Sequence, residues 1–298
     1  MKTGITTIDP TLISTKELHS ILLTAVAPRP IAFASTIDLN GNVNLSPFSF
    51  FNVFSANPPI LIFSPARRAT NNTTKHTFEN VKATKEVVIN IVNYAIVEQM
   101  SLSSTEYEAG VNEFLKSGLT PVPSEKVTPP RVAESPISFE CVVDNIIELG
   151  TEGGAGNLII SRVVFIHINN EYLDSNGNLD TKKLDLVARM GGNWYARITE
   201  ESLFEIPKPI YNKGIGVDNL PKHVQNSTIL TGNNLGRLGN YSEIPSKLEI
   251  EKAKNSTALK SILSIKDPEE KEKQLHLISK KYIEQHKLKE AITALFCI

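Results

Sequence analysis

The stretch "NLSPFSFFNVFSANPP", Asn44 to Pro59, holds four of the chain's 12 phenylalanines: Phe48, Phe50, Phe51 and Phe54. Ser46, Ser49, Asn52 and Ser55 are set between them. A strand with one buried face sorts apolar from polar residues by alternation. Here one face would carry Ser46, Phe48, Phe50, Asn52 and Phe54, and the other Pro47, Ser49, Phe51, Val53 and Ser55. Both faces mix rings with polar groups. Pro47 also lacks a ladder donor and is expected to interrupt regular pairing. A buried aromatic strand leaves this mixture unexplained. A backbone that leaves its sheet to wrap a flat, polar-edged ligand explains it. The rings would lie against the ligand's ring system, and Ser, Asn and backbone N–H groups would meet its heteroatoms.

Upstream, "APRPIAFAST" (27–36) places Arg29 between two prolines in a stiff extended segment. It then alternates, with Ile31, Phe33 and Ser35 one way and Ala32, Ala34 and Thr36 the other. The hydroxyls of Ser35 and Thr36 end the strand. "DLNGNVN" (38–44) contains Asn40-Gly41, a strong hairpin signal. "PILIFS" (59–64), "EVVINIV" (86–92), "ISFECVV" (137–143) and "NLIISRVVFIHI" (157–168) are continuous β-branched or aromatic runs, predicted as buried strands. Many strands separated by turn signals predict a barrel or sandwich. Helices are predicted at "KHTFENVKAT", with the Thr77 hydroxyl as N-cap, and over 94–102 and 110–117. "TPVPSEKVTPPRVAESP" (120–136) has five prolines and reads as an extended connection.

Downstream of the aromatic stretch, "SPARRATNNTTKHT" (64–77) gathers Arg67, Arg68, Lys75, His76 and Thr77 just before a helix start. Cations beside a helix N-terminus make an anion site, because N–H dipoles and side-chain charge add. Next to a ring-binding segment, this reads as the phosphate end of a nucleotide site.

The remaining composition narrows the classes. Hydrophobic residues are 41% and charged residues 21%, enough for a sizeable core and unlike a disordered chain. A formal net charge of −1 gives no broad field to draw in nucleic acid or an anionic membrane. The six histidines are scattered without HExxH or HxH spacing, so no metal site is predicted. Two distant cysteines, Cys141 and Cys297, fit a reducing compartment. The N-terminus has no signal-peptide pattern and no run is apolar enough to span a membrane, so a cytoplasmic location is expected.

Character changes near "IPKP" (206–209). Residues 210–245 are rich in Gly and Asn and read as loop, and helices follow from Ser246. In "DPEEKEKQLHLISKKYIEQ" Asp267 is the expected N-cap, Pro268 the first helical residue and Glu270 the partner in a capping box. Leu275, Ile278 and Tyr282 share one face of that helix. "GNNLGRLG" (232–239) lies between no clear strand and helix, so it is expected to cover surface rather than bind phosphate.

"APRPIAFAST", "GNVNLSPFSFFN", "NPPILIFSP", "KHT", "PPRVAESPISFEC" and "RMGGNWYAR" together resemble the flavin reductase-like, FMN-binding split-barrel family, especially its flavoredoxin-type members. The motifs occur in the family's order over about residues 20–206. The resemblance implies a mainly β fold, a six-stranded antiparallel Greek-key split barrel with peripheral helices. Residues 1–209 would form the barrel, and 210–298 an appended C-terminal extension, loop then helices. It implies a homodimer with FMN in a groove at or near the subunit interface, and NADH or NADPH as co-substrate. Carried over position by position, Ser35 and Thr36 line the flavin. Asn44, Ser46, Phe48, Ser49 and Phe50 surround the isoalloxazine and ribityl chain. Lys75 and Thr77 match a Lys-Asp-Thr phosphate motif in which His76 replaces the Asp. Arg29, Pro47, Asn52 and Arg67 complete the expected cofactor-binding set. "MGGNWYA" (190–196) matches a late glycine-containing segment. Hydride transfer from reduced nicotinamide to FMN is the expected activity. One alternative is a flavoredoxin-type carrier whose bound FMN is reduced by a partner protein. Another is a non-catalytic barrel module that recruits a partner through its helical tail.

Overall fold

The computed structural model describes residues 4–206 and 213–298. The chain divides into two compact units, Met1–Phe204 and Glu205–Ile298. The expected boundary residues Pro207 to Pro209 lie outside the described residues.

The first unit opens with α1 (Thr15–Ala25), started by a capping box in which Ser14 accepts from the Glu17 N–H. Seven strands then build one antiparallel sheet: β1 (Ala32–Ile37), β2 (Val43–Phe48), β3 (Phe51–Ala56), β4 (Pro59–Phe63), β5 (Glu86–Ile91), β8 (Ile137–Glu148) and β9 (Asn157–Ile168). The short strands β6 (Pro121–Val122) and β7 (Arg131–Val132) pair inside the proline-rich connection. Strand order is β2-β1-β5-β8-β9-β4-β3.

This order gives the aromatic stretch its structural meaning. It forms β2 and β3, the two opposite edges of the sheet. Phe48 ends one and Phe51 begins the other, so the chain holds the edges within about 10 Å. The sheet must therefore curl into a barrel that is closed at this seam by the two residues Ser49 and Phe50 rather than by ladder bonds. Seven strands, not the expected six, take part, because the seam segment supplies a strand on each side. Pro47 does not interrupt its ladder: it stands opposite Phe33, on an edge strand where its missing N–H costs no pairing.

The β1–β2 hairpin turns where Asn40-Gly41 indicated. Asp38 N–H donates to Asn42 O at 3.0 Å, and the Asp38 carboxylate accepts from the N–H groups of Asn40 and Asn42 at 2.8 Å. Gly41 has φ of +87°, a conformation that glycine adopts without Cβ strain.

β1 is buried on both faces. Ala32 and Ala34 enter the barrel core with Phe63, Val87, Ile89 and Ile159. Phe78 and Val81 of α2 (His76–Thr84) plug that core. Each such side chain stabilises the fold by about 1.5–3 kcal/mol through burial. On the other face, Ile31 and Phe33 pack with Leu45 under Met100 of α3 (Val97–Leu102) and Phe114 of α4 (Glu113–Ser117).

The proline-rich connection is pinned by Glu140. Its fully buried carboxylate accepts from the N–H groups of Glu125 (2.8 Å), Lys126 (2.6 Å) and Val127 (3.2 Å), and lies 2.6 Å from His167 Nε2. Two further short strands, β10 (Val187–Arg189) and β11 (Tyr195–Arg197), form a hairpin around the late glycine segment.

The second unit contains α5 (Lys222–Gln225), α6 (Gly232–Gly239), α7 (Lys247–Lys254), α8 (Thr257–Leu263), α9 (Pro268–Glu284) and α10 (Leu288–Leu295). Residues 213–245 are not the loop expected from their composition. "GNNLGRLG" is helix α6, started by a Thr231–Asn234 capping box. Leu238 is fully buried with Val224, Ile283 and Ile292, so this segment fills the unit's own core. On α9, Leu275, Ile278 and Tyr282 pack inward as their spacing indicated. Asp267 caps the helix by accepting from the Glu269 N–H at 3.1 Å. Glu270 does not complete a capping box; it accepts from Gln274 Nε2 at 2.7 Å instead. Among the described residues, no helix is long and apolar enough to cross a membrane.

Candidate functional site

The N-terminus of α2 is the centre of the site. Lys75 is its N-cap, with extended backbone and no side-chain capping bond. Thr77 is therefore not the cap. It sits in the first turn, buried, and its Oγ1 accepts from Asn44 Nδ2 at 2.8 Å. Asn44 Nδ2 also reaches Thr36 Oγ1 at 3.5 Å, and Asn80 Nδ2 donates to the same oxygen at 3.1 Å. One buried network thus ties β1, β2 and α2 together and converges Thr36, Asn44 and Thr77, 41 positions apart at most in the sequence.

Asn44, Ser46, Lys75 and Thr77 line a small pocket of about 20 Å³, together with Arg68 and His76. Residues 104–107 and Glu113 close its other side. Arg68 Nε and Lys75 Nζ meet the same oxygen, Glu106 Oε1, at 2.8 and 3.1 Å. Arg68 is further fixed by Thr73 Oγ1 at 3.0 Å and by the Thr74 carbonyl. Hydrogen bonds from Lys75 and then Arg68 hold the Glu106 carboxyl below its ordinary pKa. Glu113 is buried and accepts the Leu45 N–H at 2.9 Å; burial pushes its pKa up. Two fixed cations, hydroxyl and amide groups, and a helix N-terminus without a side-chain cap make an anion pocket.

Other expected site residues take different places. Arg67 points away from the pocket: its guanidinium holds the side chain and carbonyl of Asn72, both at 2.7 Å. Its neighbour Arg68 supplies the pocket cation instead. Arg29 is buried and its donors are committed to the carbonyls of Leu23, Val26 (2.7 Å) and Met190 (2.9 Å), with Ser49 Oγ at 3.4 Å. It braces the end of α1, the seam and the "MGGNWYA" segment rather than facing the anion pocket. Phe48 packs on Phe63 with ring centroids 5.6 Å apart, while Phe50 is partly exposed at the seam against His19. Asn52 is exposed on β3, its amide oxygen 2.8 Å from the Val53 N–H. The Ser35 Oγ is buried without a hydrogen-bond partner, on the strand that also carries Thr36. Glu106, Ser104, Thr105, Tyr107 and Glu113 were not indicated by any motif; they reach the pocket only through the fold.

A separate cluster lies in the second unit, where His223, Glu272 and His276 bring one ligating atom each within 4.8 Å. Its hydrogen bonds define its protonation. Ser227 Oγ already accepts from the N–H groups of Ile229 (3.1 Å) and Leu230 (3.0 Å), so its own hydrogen goes to His276 Nδ1 at 2.9 Å. His276 then carries its hydrogen on Nε2 and donates it to His223 Nδ1 at 2.9 Å. His223 Nδ1 and His276 Nε2 are engaged with each other, while His223 Nε2 is buried without a hydrogen-bond partner. Burial, then the neighbouring His223, lowers the His276 pKa, in keeping with this neutral chain.

Residues 25–183 match the family model for the flavin reductase like domain. The chain belongs to the flavin reductase-like family. An uncharacterized Halalkalibacterium halodurans protein is 39% identical over 204 residues, covering 68% of this chain and 96% of that one. Among solved structures, nitrilotriacetate monooxygenase component B from Bacillus cereus is similar with a TM-score of 0.64 and 30% identity, over 68% of this chain and 99% of that chain. A Shewanella frigidimarina protein assigned as a flavin reductase with a split barrel domain is similar with a TM-score of 0.56 and 26% identity, over 66% of this chain and 95% of that chain. The flavin reductase-like match contains the whole anion pocket, from Asn44 to Glu113, and ends before the second unit.

Proposed function

We propose that this flavin reductase-like protein binds FMN and reduces it with NADH or NADPH. The observation that carries the reading is the anion pocket at the start of α2, continuous along β2 with the ring-bearing seam: Asn44 and Ser46 line the pocket and Phe48 and Phe50 follow on the same segment. The residues fit a flavin mononucleotide. Arg68, Lys75 and the first turn of α2 suit its phosphate, and Asn44 and Ser46 suit the polar chain that follows. Backbone N–H groups and the rings of Phe48 and Phe50 suit the polar edge and faces of the ring system. Bound there, the flavin supplies the two-electron redox chemistry. The chain's own part is to orient it: Arg29 fixes Ser49 and thereby the bend of the seam, and the Thr36–Asn44–Thr77 network holds β2 against α2.

Val53 and Phe54 on β3 and Ile166 on β9 are each more than half exposed. β4 lies between β3 and β9 in the sheet, and a second copy of the chain is the partner that we assign to this surface.

Purified protein should show flavin absorbance near about 370 and 450 nm after incubation with FMN and desalting, and should oxidise NADH or NADPH in steady state with free FMN. Flavin binding without nicotinamide turnover would replace the reductase reading with that of an electron carrier. Absence of any flavin binding would remove both.

A further inference from the structure

The anion pocket already contains an anion. Arg68 and Lys75, separated by six positions of irregular loop, converge on a single oxygen of Glu106, 31 residues further along the chain from Lys75. The three side chains are unequally sheltered: Arg68 is 14% exposed, Lys75 31% and Glu106 59%. The cations belong to the wall, and the carboxylate is the member at the mouth with room to leave.

Donors and charge both make the carboxylate and a ligand phosphate alternatives. The single Arg68 Nε–H is given to Glu106 Oε1 at 2.8 Å, with Lys75 Nζ on the same oxygen at 3.1 Å, so a phosphate oxygen must take that carboxylate oxygen's place between the two cations. With Glu106 in place the cluster carries a net charge of about +1; without it, about +2, which matches a phosphate monoester of about −1.5 to −2. Glu113, the other carboxylate of the pocket, is buried and engaged by the Leu45 N–H at 2.9 Å, so it is not the group that meets the two cations.

We propose that Glu106 is the specificity-determining residue of this pocket, an internal counter-ion that the phosphate of the ligand must displace from Arg68 and Lys75. FMN then binds by exchange with Glu106, whereas riboflavin, lacking phosphate, leaves the Glu106 contacts intact. The residue sets how much of the phosphate's binding energy is realised and how readily FMN is released. The flavin half of this inference rests on the function proposed above; the phosphate half does not.

The test compares the full-length protein with Glu106→Gln, which keeps the shape and removes the charge, and with Glu106→Ala. FMN and riboflavin affinities are measured by flavin fluorescence quenching, and inorganic phosphate affinity by the shift of the melting temperature over a phosphate titration. Both variants should bind FMN about tenfold more tightly, change riboflavin affinity less than twofold, and reach half-saturation with inorganic phosphate at about tenfold lower concentration. Phosphate binding that tightens in the variants while no flavin binds any of the three proteins would sustain the counter-ion role and remove the flavin reading. FMN binding that is unchanged, weaker, or altered equally with riboflavin would overturn the inference, as would inorganic phosphate affinity that does not respond to either variant.

Discussion

Thr77→Val removes one hydroxyl from a buried position while keeping its shape. Thr77 is 1% exposed, and its Oγ1 is the short partner of Asn44 Nδ2 at 2.8 Å. Only the 3.5 Å contact with Thr36 Oγ1 would remain to that amide, and Thr36 is already served by Asn80 at 3.1 Å. A buried amide hydrogen left unpaired costs about 1–3 kcal/mol. For a unit of this size each kcal/mol lowers the melting temperature by about 2–4 °C, so a fall of roughly 2–12 °C is expected. Removing the donor as well should recover part of the loss. Asn44→Leu with Thr77→Val leaves no stranded amide at this point, and Thr36 keeps Asn80. The double variant should therefore be less destabilised than the sum of the singles by at least about 1 kcal/mol. Chemical denaturation of the three variants, followed by circular dichroism, measures this. Additivity within about 0.5 kcal/mol would refute the network, because uncoupled sites add.

Glu140→Gln should cost about 3–5 kcal/mol, since the acceptor of three loop N–H groups becomes an amide that must point a donor at one of them. Burial opposes ionisation of Glu140, but the N–H of Glu125, His167 and the N–H of Lys126 outweigh it and leave the pKa below the ordinary value of 4.5. Its stabilisation is thus present above about pH 4.5 and lost as pH falls through the lower folded pKa; acid titration of stability should show this limb in the wild type and not in Glu140→Gln. Leu238→Ala should cost the second unit about 2–5 kcal/mol, read as loss of helical signal from a lower-melting transition, because Leu238 is fully buried in that unit's core. A melting curve unmoved by Leu238→Ala would show that α6 is not part of that core.

Much of the barrel was legible because its signals are local. The Asn40-Gly41 turn names its own hairpin, and the run from Asn157 to Ile168, rich in Ile and Val, coincides with β9. The pocket was legible through Lys75, Thr77, Asn44 and Ser46, which lie on two segments with marked residue patterns. What failed depended on long-range packing. Arg67 and Arg68 are adjacent in an irregular loop without periodicity, so nothing local says which guanidinium turns inward; contacts with Thr73, Thr74 and Glu106 decide it. Glu106 has no motif at all and arrives through a fold-level contact. Helix α6 was hidden by three glycines, each costing about 1 kcal/mol of helix propensity, and is retained because Leu235 and Leu238 bury against α9 and α10. Pro47 misled because the penalty for a proline in a strand vanishes at an edge, and edge position is a property of the whole sheet.

The most direct measurement is the dissociation constant of FMN and of riboflavin for the wild type and for Lys75→Ala. If the start of α2 holds the ligand's phosphate, losing this charge-assisted contact should weaken FMN by about 1.5–3 kcal/mol, tenfold or more, and leave riboflavin nearly unchanged. Equal weakening of the two ligands would show that Lys75 does not meet phosphate, and the anion pocket of Arg68, Lys75 and Thr77 would not be the phosphate end of a flavin site.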